Sequence, residues 1–168
     1  CTAAVDFVST RTTDAAFVEL TNMNYAMSNR FLSDTEFATP QGMRTTSVLI
    51  RTLSQGSTIY KCGTITGDTQ GMVASTSFAM NVGTVTYYGD LGLANYYSDG
   101  GDSGGLVYQL HTDGTTAYPV GIHNMHIGRA LVNNTGLTPT VPPYKDQAYR
   151  GYCKINNVLN TLGVSIIS

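Results

Sequence analysis

The sequence predicts an all-β protein, an antiparallel barrel or sandwich that ends in one short helix. Short β-prone segments recur along the chain, and turn clusters rich in Gly, Asp and Thr separate them. That rhythm is typical of antiparallel barrels and sandwiches. A hydrophobic content of 42% is enough for one core in a chain of 168 residues. We therefore expect one globular domain, or a substantial portion of one.

Eight segments have the composition of strands. In chain order they are residues 15–20, 46–51, 58–62, 71–78, 84–88, 105–110, 117–123 and 127–132. The turns expected between them include residues 66–68, 89–90, 99–101 and 112–114. The helix is expected at the end of the chain, where Ile155, Val158 and Leu162 recur at helical spacing and Gly163 follows as a stop. Residues 133–149, which include three prolines, are expected to form a long surface loop.

Composition argues against several classes of function. Charged residues make up only 12% of the chain and the net charge is −2, so we expect no nucleic-acid partner. The apolar runs are too short to span a bilayer, so no membrane span is expected, and no signal segment opens the chain. Low charge with abundant Gly, Tyr, Thr and Asn is typical of extracellular enzymes and of virion proteins, which are the locations expected here.

The three cysteines, Cys1, Cys62 and Cys153, leave their pairing open. One disulfide plus a spare thiol and three free thiols are both compatible with the odd number. Cys1 could bond to a separate chain or be an ordinary thiol. Without a CxxC motif or a Cys/His cluster, no metal site and no cofactor are predicted.

The most informative motif is the pentapeptide of residues 101–105, Gly-Asp-Ser-Gly-Gly. Glycines on both sides of Ser103 would let its hydroxyl attack a carbonyl while backbone N–H groups point at the resulting oxyanion. An α/β-hydrolase elbow requires a long helix directly after the serine. Here the next residues, 106–110, have a strand pattern. Ser103 is therefore predicted to be a nucleophile in an all-β enzyme, and a glycine-rich hairpin turn is the simpler alternative.

Four separated segments in the same order resemble the chymotrypsin-like serine proteases, in particular the short bacterial streptogrisin type. They are the pentapeptide, Thr-Asp-Ala-Ala-Phe-Val-Glu-Leu at residues 13–20, Tyr-Lys-Cys-Gly-Thr-Ile-Thr-Gly at residues 60–67, and residues 157–165 at the terminal helix. The resemblance implies a chymotrypsin-like antiparallel barrel. It implies that residues 1–25 hold remaining strands of a first barrel, and that residues 45–168 form the second barrel and the terminal helix of one domain portion.

The same resemblance implies residue roles. Ser103 would be the nucleophile, Gly101 and Ser103 would supply the oxyanion N–H groups, and Asp14 would orient the base histidine. Asp102 would be a structural carboxylate beneath the oxyanion loop, with a buried charge whose partner the sequence does not identify.

Residues 120–126 follow the serine where the family places one wall of its specificity pocket. The Gly-Ile-His triplet that ends at His123 is similar to that of glutamyl endopeptidases and picornaviral main proteases. A ring N–H of His123 could donate to a Glu or Gln side chain. Asn124 beside it and Tyr97, six residues before Ser103, would also contact substrate. Tyr97 is not a carboxylate, which disfavours trypsin-like specificity.

None of the three histidines is a candidate for the catalytic base. His111, His123 and His126 all follow Ser103, whereas the family's base comes from the first barrel, before the aspartate. We therefore expect an N-terminal protease chain that carries the base histidine and stays docked after processing just before Cys1, with a polypeptide as substrate. The alternative is a catalytically silent module with a protease fold that serves a structural or binding role.

Overall fold

The computed structural model describes residues 5–9, 14–18, 29–35, 39–82 and 85–166. Ten strands and two helices lie in these ranges. The first five strands are β1 Val5–Ser9, β2 Asp14–Val18, β3 Arg30–Thr35, β4 Thr39–Thr46 and β5 Thr58–Gly63. The next five are β6 Gly67–Val82, β7 Val85–Ala94, β8 Leu106–Leu110, β9 Thr116–Gly128 and β10 Ala148–Lys154. The helices are α1 Arg129–Asn134 and α2 Ile155–Leu162.

Six of the strands close into a ring. Successive antiparallel pairings join β5 to β6, β6 to β7, β7 to β10, β10 to β9, β9 to β8, and β8 back to β5. Full closure leaves no unpaired edge in this part of the sheet. The hairpin of β3 and β4 adds to the ring through β6 and β9, and β1 and β2 form a separate two-stranded sheet. The all-β antiparallel fold predicted from the sequence is confirmed.

The long strands contribute side chains to two apolar clusters, because successive side chains of a strand point to opposite faces. Val73 of β6 packs in one cluster and its neighbour Ala74 in the other. The cluster of Val73 holds side chains of the strands together with Tyr96 and Leu53, which lie outside them. The second includes Val132 of α1 and Val158 of α2, so it lies between the strands and the helices.

The terminal helix forms where the sequence predicts it. Ile155 and Val158 are buried, and Gly163 ends the helix in the left-handed conformation with a φ of 66°. The N–H of Gly163 still donates to the carbonyl of Leu159, as does the N–H of Val164 after it. Glycine adopts the left-handed conformation without the penalty that a Cβ imposes, so the helix ends here. β2 packs against this helix and brings the N-terminal sheet to the ring.

Several local predictions are wrong. Residues 47–51 are irregular rather than a strand, and residues 129–132, predicted as strand, belong to α1. The turn expected at residues 89–90 lies inside β7, and the turn expected at residues 66–68 comes earlier, at residues 64–66. The surface-loop segment 133–149 is irregular in its middle, but α1 reaches Asn134 and β10 starts at Ala148. Cys1 lies outside the described residues.

Candidate active site

Ser103 lies in the loop between β7 and β8, and backbone bonds fasten that loop to β9. The Gly104 N–H donates to the carbonyl of His123 over 2.8 Å, and the His123 N–H donates to the carbonyl of Gly105 over 2.8 Å. The side chain of Ser103 remains exposed, and its Oγ donates to the carbonyl of Asn124 at 3.1 Å. The hydroxyl is thus presented at the surface on a loop held by a buried strand.

Asp102, the residue before Ser103, points into the protein. It is 1% exposed, and its carboxylate accepts a hydrogen bond from Lys61 Nζ at 2.7 Å. Further donors are Thr66 Oγ1 at 2.6 Å and the backbone N–H groups of Ile65, Thr66 and Asp99. Burial alone would raise the pKa of Asp102, but these donors hold it well below its ordinary value. Lys61 is the partner that the sequence did not identify.

The backbone N–H groups of Gly101 and Ser103 take no part in the recorded bonds that hold the loop. In the described part of the chain, no backbone hydrogen bond uses either N–H. Gly101 has a φ of 102°, and a Cβ there would lie 2.7 Å from Ile65 Cγ1. Only glycine adopts this conformation readily, which accounts for the residue found at this position. N–H groups of this kind, one on each side of Asp102 and next to a serine hydroxyl, can stabilise an oxyanion.

A cleft of about 460 Å³ adjoins Ser103. Its lining includes Ser103, Gly104, His123 and Asn124 on one side and Ala15 of β2 on the other. Asp14 is the first residue of β2 and directly precedes Ala15. The side chain of Asp14 is outside the described part of the structure. The start of β2 therefore borders the same cleft as the serine.

His123 is buried, 2% exposed, and one ring nitrogen is engaged by a tyrosine. The Tyr96 hydroxyl lies 3.0 Å from His123 Nδ1. Burial raises the pKa of Tyr96, so the phenol keeps its proton, and Nδ1 is its one recorded partner among the described residues. Burial, with Lys61 and His126 nearby, lowers the pKa of His123 to about 4. At neutral pH the ring is uncharged, accepts at Nδ1 and carries its proton on Nε2.

An irregularity in β9 lies next to this histidine. His123 pairs with Tyr152 and Met125 pairs with Gly151, so Asn124 is an extra residue in β9 between two consecutive partners on β10. Such a bulge re-aims the side chains that follow it. Asn124 uses its carbonyl to accept from Ser103, and its Nδ2 lies 3.6 Å from Cys153 Sγ.

Tyr97, expected to contact substrate, is turned toward the 135–147 segment. Its ring stacks on Tyr144 with centroids 5.2 Å apart, and its carbonyl accepts from Thr69 Oγ1 at 2.5 Å. It is the preceding residue, Tyr96, that contacts His123. Burial alternates here, with Tyr96 and Ser98 buried and Tyr97 between them half-buried, but two successive tyrosines give no sequence signal that tells them apart.

Two residues that the sequence interpretation did not connect to the site also lie near it. His126 Nε2 is 2.8 Å from Ser98 Oγ, and Ser98 Oγ accepts from Arg150 Nε at 3.0 Å. Arg150 is completely buried. The signal in the sequence is a single arginine inside the otherwise uncharged segment 147–153. His111, by contrast, pairs with Asp113 in the turn after β8.

The described residues contain no group of three or more His, Cys, Asp or Glu side chains that could hold a metal ion. Cys62 and Cys153 are not joined to each other by a disulfide. Of the helices in the described ranges, neither has the length and apolar character needed to cross a membrane.

The fold is similar to that of solved serine proteases. One is a protease specific for glutamic acid that uses a histidine triad in substrate binding. It is 21% identical in sequence with a TM-score of 0.64, and the match covers 98% of this chain and 73% of that protein. Chymotrypsin from Cellulomonas bogoriensis is 17% identical with a TM-score of 0.65, and the match covers 98% of this chain and 75% of that protein. Nocardiopsis protease is 20% identical with a TM-score of 0.68, and the match covers 99% of this chain and 74% of that protein.

No family model matches the sequence, and no curated protein matches it. The solved structures establish that the fold is that of the chymotrypsin-like serine proteases. The chain spans about three quarters of the length of these structures.

Proposed function

We propose that this chain is the nucleophile-bearing part of a chymotrypsin-like serine endopeptidase that cleaves polypeptides after Glu or Gln. The observation that carries the proposal is the loop of residues 101–105. It exposes the Ser103 hydroxyl beside two unengaged N–H groups and is anchored by the buried Asp102 carboxylate. An ordinary glycine-rich turn has no need of a buried ion pair directly beneath it.

In the proposed reaction, Ser103 Oγ attacks the carbonyl carbon of the scissile bond while its proton passes to the base. The oxyanion is held by the N–H groups of Gly101 and Ser103. The base then protonates the leaving amine, and an acyl-enzyme remains. Water, deprotonated by the same base, attacks the ester and releases the carboxylate product. Ser103 regains its proton in that step.

The base histidine comes from polypeptide outside these residues. His123 Nδ1 is engaged by Tyr96, His126 Nε2 lies on Ser98 Oγ, and His111 pairs with Asp113 in a different turn. The recorded partner of Ser103 Oγ among the described residues is the carbonyl of Asn124 and not one of these rings. The cleft that Ala15 and Ser103 both line could admit an imidazole beside the serine, next to the strand that begins at Asp14. A separate N-terminal chain that carries this histidine and stays docked, as the sequence predicts, is one way to supply the base.

The preference for Glu or Gln is supported by His123. Its buried, neutral ring has one donor, Nε2–H, for a substrate side chain, and both Glu and Gln offer an oxygen acceptor. The similarity to a glutamic-acid-specific protease that binds substrate through histidines supports the same assignment.

Digestion of an unfolded protein, with every new terminus mapped by mass spectrometry, tests the activity and its preference. We expect cleavage after Glu or Gln by the native protein and none by the Ser103→Ala variant. Cleavage that persists in the variant, or none by the native protein, contradicts the proposal and favours a silent structural module. Native mass spectrometry tests the origin of the base: a separate docked chain predicts a complex heavier than 18.0 kDa.

A further inference from the structure

A second cavity, of about 170 Å³, lies against β6, β9, β10 and the first turn of α2. Among the described residues, it shares no lining with the cleft beside Ser103. Its described lining combines hydrogen-bond donors with apolar side chains and contains no carboxylate. The residues that line it are 50–53, 154–156, Thr76, Val120 and Tyr152.

Tyr152 brings a hydroxyl without a partner to this cavity. The residue is 3% exposed, and a Cβ added at Gly92 or Gly121 would lie 2.1 Å or 2.6 Å from atoms of its ring. No described residue is recorded in a hydrogen bond with the hydroxyl, yet it is not sealed from solvent, so it reaches the cavity that the residue lines. Burial raises the pKa of Tyr152, so the phenol keeps its proton and can donate it. Buried polar groups are normally paired, so this hydroxyl indicates an acceptor that the chain does not supply.

The start of α2 adds backbone donors to the same cavity. The first N–H groups of a helix have no partner inside it, and α2 has no side-chain cap and no acidic residue in its first turn. Ile155 and Asn156, its first two residues, line the cavity. In the described ranges no recorded turn bond or side-chain acceptor takes either N–H. Such N–H groups and the helix dipole favour an anion.

Arg51 adds a positive charge that no described carboxylate neutralises. The side chain is exposed, but its Cζ lies 4.1 Å from the ring centroid of Tyr118. Stacking of this kind positions the planar guanidinium and leaves the N–H groups at its edge available. Lys154, the other cation in the lining, already pairs with Asp90. The described lining therefore offers one positive charge that is not yet balanced.

We propose that this cavity binds a small monocarboxylate with a short aliphatic chain. Arg51, the Tyr152 hydroxyl and the first N–H groups of α2 hold the carboxylate. One unbalanced positive charge matches a monoanion better than a dianion such as hydrogen phosphate. The inference does not rest on the proposed protease function, because the cavity is separate from the serine cleft.

The rest of the lining accounts for the aliphatic chain. Ile50, Leu53 and Val120 present apolar side chains to the cavity and cover that part of the ligand. The volume of 170 Å³ equals about six water molecules at ~30 Å³ each, so a ligand of roughly six heavy atoms fills it. Butanoate has this size and charge and is the probe of choice.

Titration of the 15N-labelled native protein with sodium butanoate tests the proposal. We expect saturable shifts of the Ile155 and Asn156 amide signals, and none with butanamide, which has the same chain and no charge. Arg51→Gln and Tyr152→Phe should each raise the Kd for butanoate by roughly tenfold or more, the usual effect of losing a hydrogen bond to a charged group.

Two controls separate a ligand site from a structural role. Arg129→Gln removes an exposed arginine that does not line the cavity and should leave the Kd unchanged. Tyr152→Phe keeps the ring and removes only the hydroxyl, so without butanoate this variant should be at least as stable to urea as the wild type. Lower stability of Tyr152→Phe without butanoate would show a structural partner for the hydroxyl and contradict the proposal.

Three further outcomes overturn the inference. One is the absence of saturable shifts at Ile155 and Asn156, or equal shifts with butanamide. Another is a Kd that is unchanged in both Arg51→Gln and Tyr152→Phe, because the ligand then lies elsewhere. The third is tighter binding of inorganic phosphate than of butanoate. Peptide cleavage enters none of these measurements, so their failure leaves the endopeptidase proposal standing.

Discussion

Lys61 Nζ and Asp102 Oδ2 lie 2.7 Å apart in an ion pair with no exposure of either side chain. Lys61 belongs to β5, whereas Asp102 belongs to the loop that carries Ser103, 41 residues later in the chain. The pair therefore fastens the candidate oxyanion loop to the strand ring. Burial lowers the pKa of Lys61 against the opposing effect of Asp102, so the pair depends on its hydrogen bonds as well as on charge.

Removal of the lysine charge should destabilise the fold strongly. In Lys61→Met, Asp102 would remain buried without a cation, and such changes cost about 3–5 kcal/mol. Urea denaturation at pH 7 measures the loss. The matched control is Lys145→Met on an exposed lysine, for which we expect a change within about 0.5 kcal/mol. Equal stability of the two variants would contradict the anchoring role.

Gly101→Ala should reduce the reactivity of Ser103. The new Cβ would lie 2.7 Å from Ile65 Cγ1 on a backbone with a φ of 102°, so the loop must move and displace an oxyanion N–H. Loss of one such donor costs on the order of 10²–10³ in kcat. The measurement is kcat on a peptide substrate by the native protease.

Gly100→Ala is the control for that variant. A Cβ at Gly100 has nothing within 4 Å, so we expect nearly full activity. If the two alanine variants were equally active, the N–H of Gly101 would have no part in the reaction.

Protonation of His123 should make stability depend on pH. Its folded-state pKa is about 4, against roughly 6.5 in an unfolded chain. Between these values the unfolded state binds a proton that the folded state does not. The contribution of His123 to the free energy of unfolding is therefore complete above about pH 6.5. It is lost as the pH falls toward 4, by up to about 3 kcal/mol.

Urea denaturation at intervals from pH 7.5 to 4 measures this slope. His123→Gln should flatten it, whereas His126→Gln on the more exposed ring should flatten it less. A slope that is unchanged in His123→Gln would mean that other groups cause it.

The sequence predicts the all-β architecture and the terminal helix because both depend on local patterns. Val158 and Leu162 recur at helical spacing, and Gly163 ends the helix in a left-handed conformation that glycine favours. By contrast, β4 contains Pro40 and Gly42, and β7 runs through Gly89 and Asp90, which locally favour turns. Pairing with neighbouring strands overrides those preferences, and no local pattern reports such pairing.

The same distinction applies to the site. Ser103 stands out because its flanking glycines are adjacent in sequence, whereas the contacts of its neighbours join distant segments. Asp102 meets Lys61 across 41 residues, and Ser98 meets Arg150 across 52. The contact of Tyr96, rather than of its neighbour Tyr97, with His123 depends on which side of the chain faces inward. In an extended chain, a shift of one residue moves a side chain from the inward face to the outward face.

The central claim is that Ser103 is an activated nucleophile, and covalent labelling with a fluorophosphonate probe tests it most directly. The native protein, incubated with the probe at neutral pH and then digested, should carry the label on the peptide that contains Ser103. Heat-denatured protein and the Ser103→Ala variant should remain unlabelled, since reactivity requires the folded loop and the base. Absence of label on the native protein, or label on a residue other than Ser103, would contradict the account.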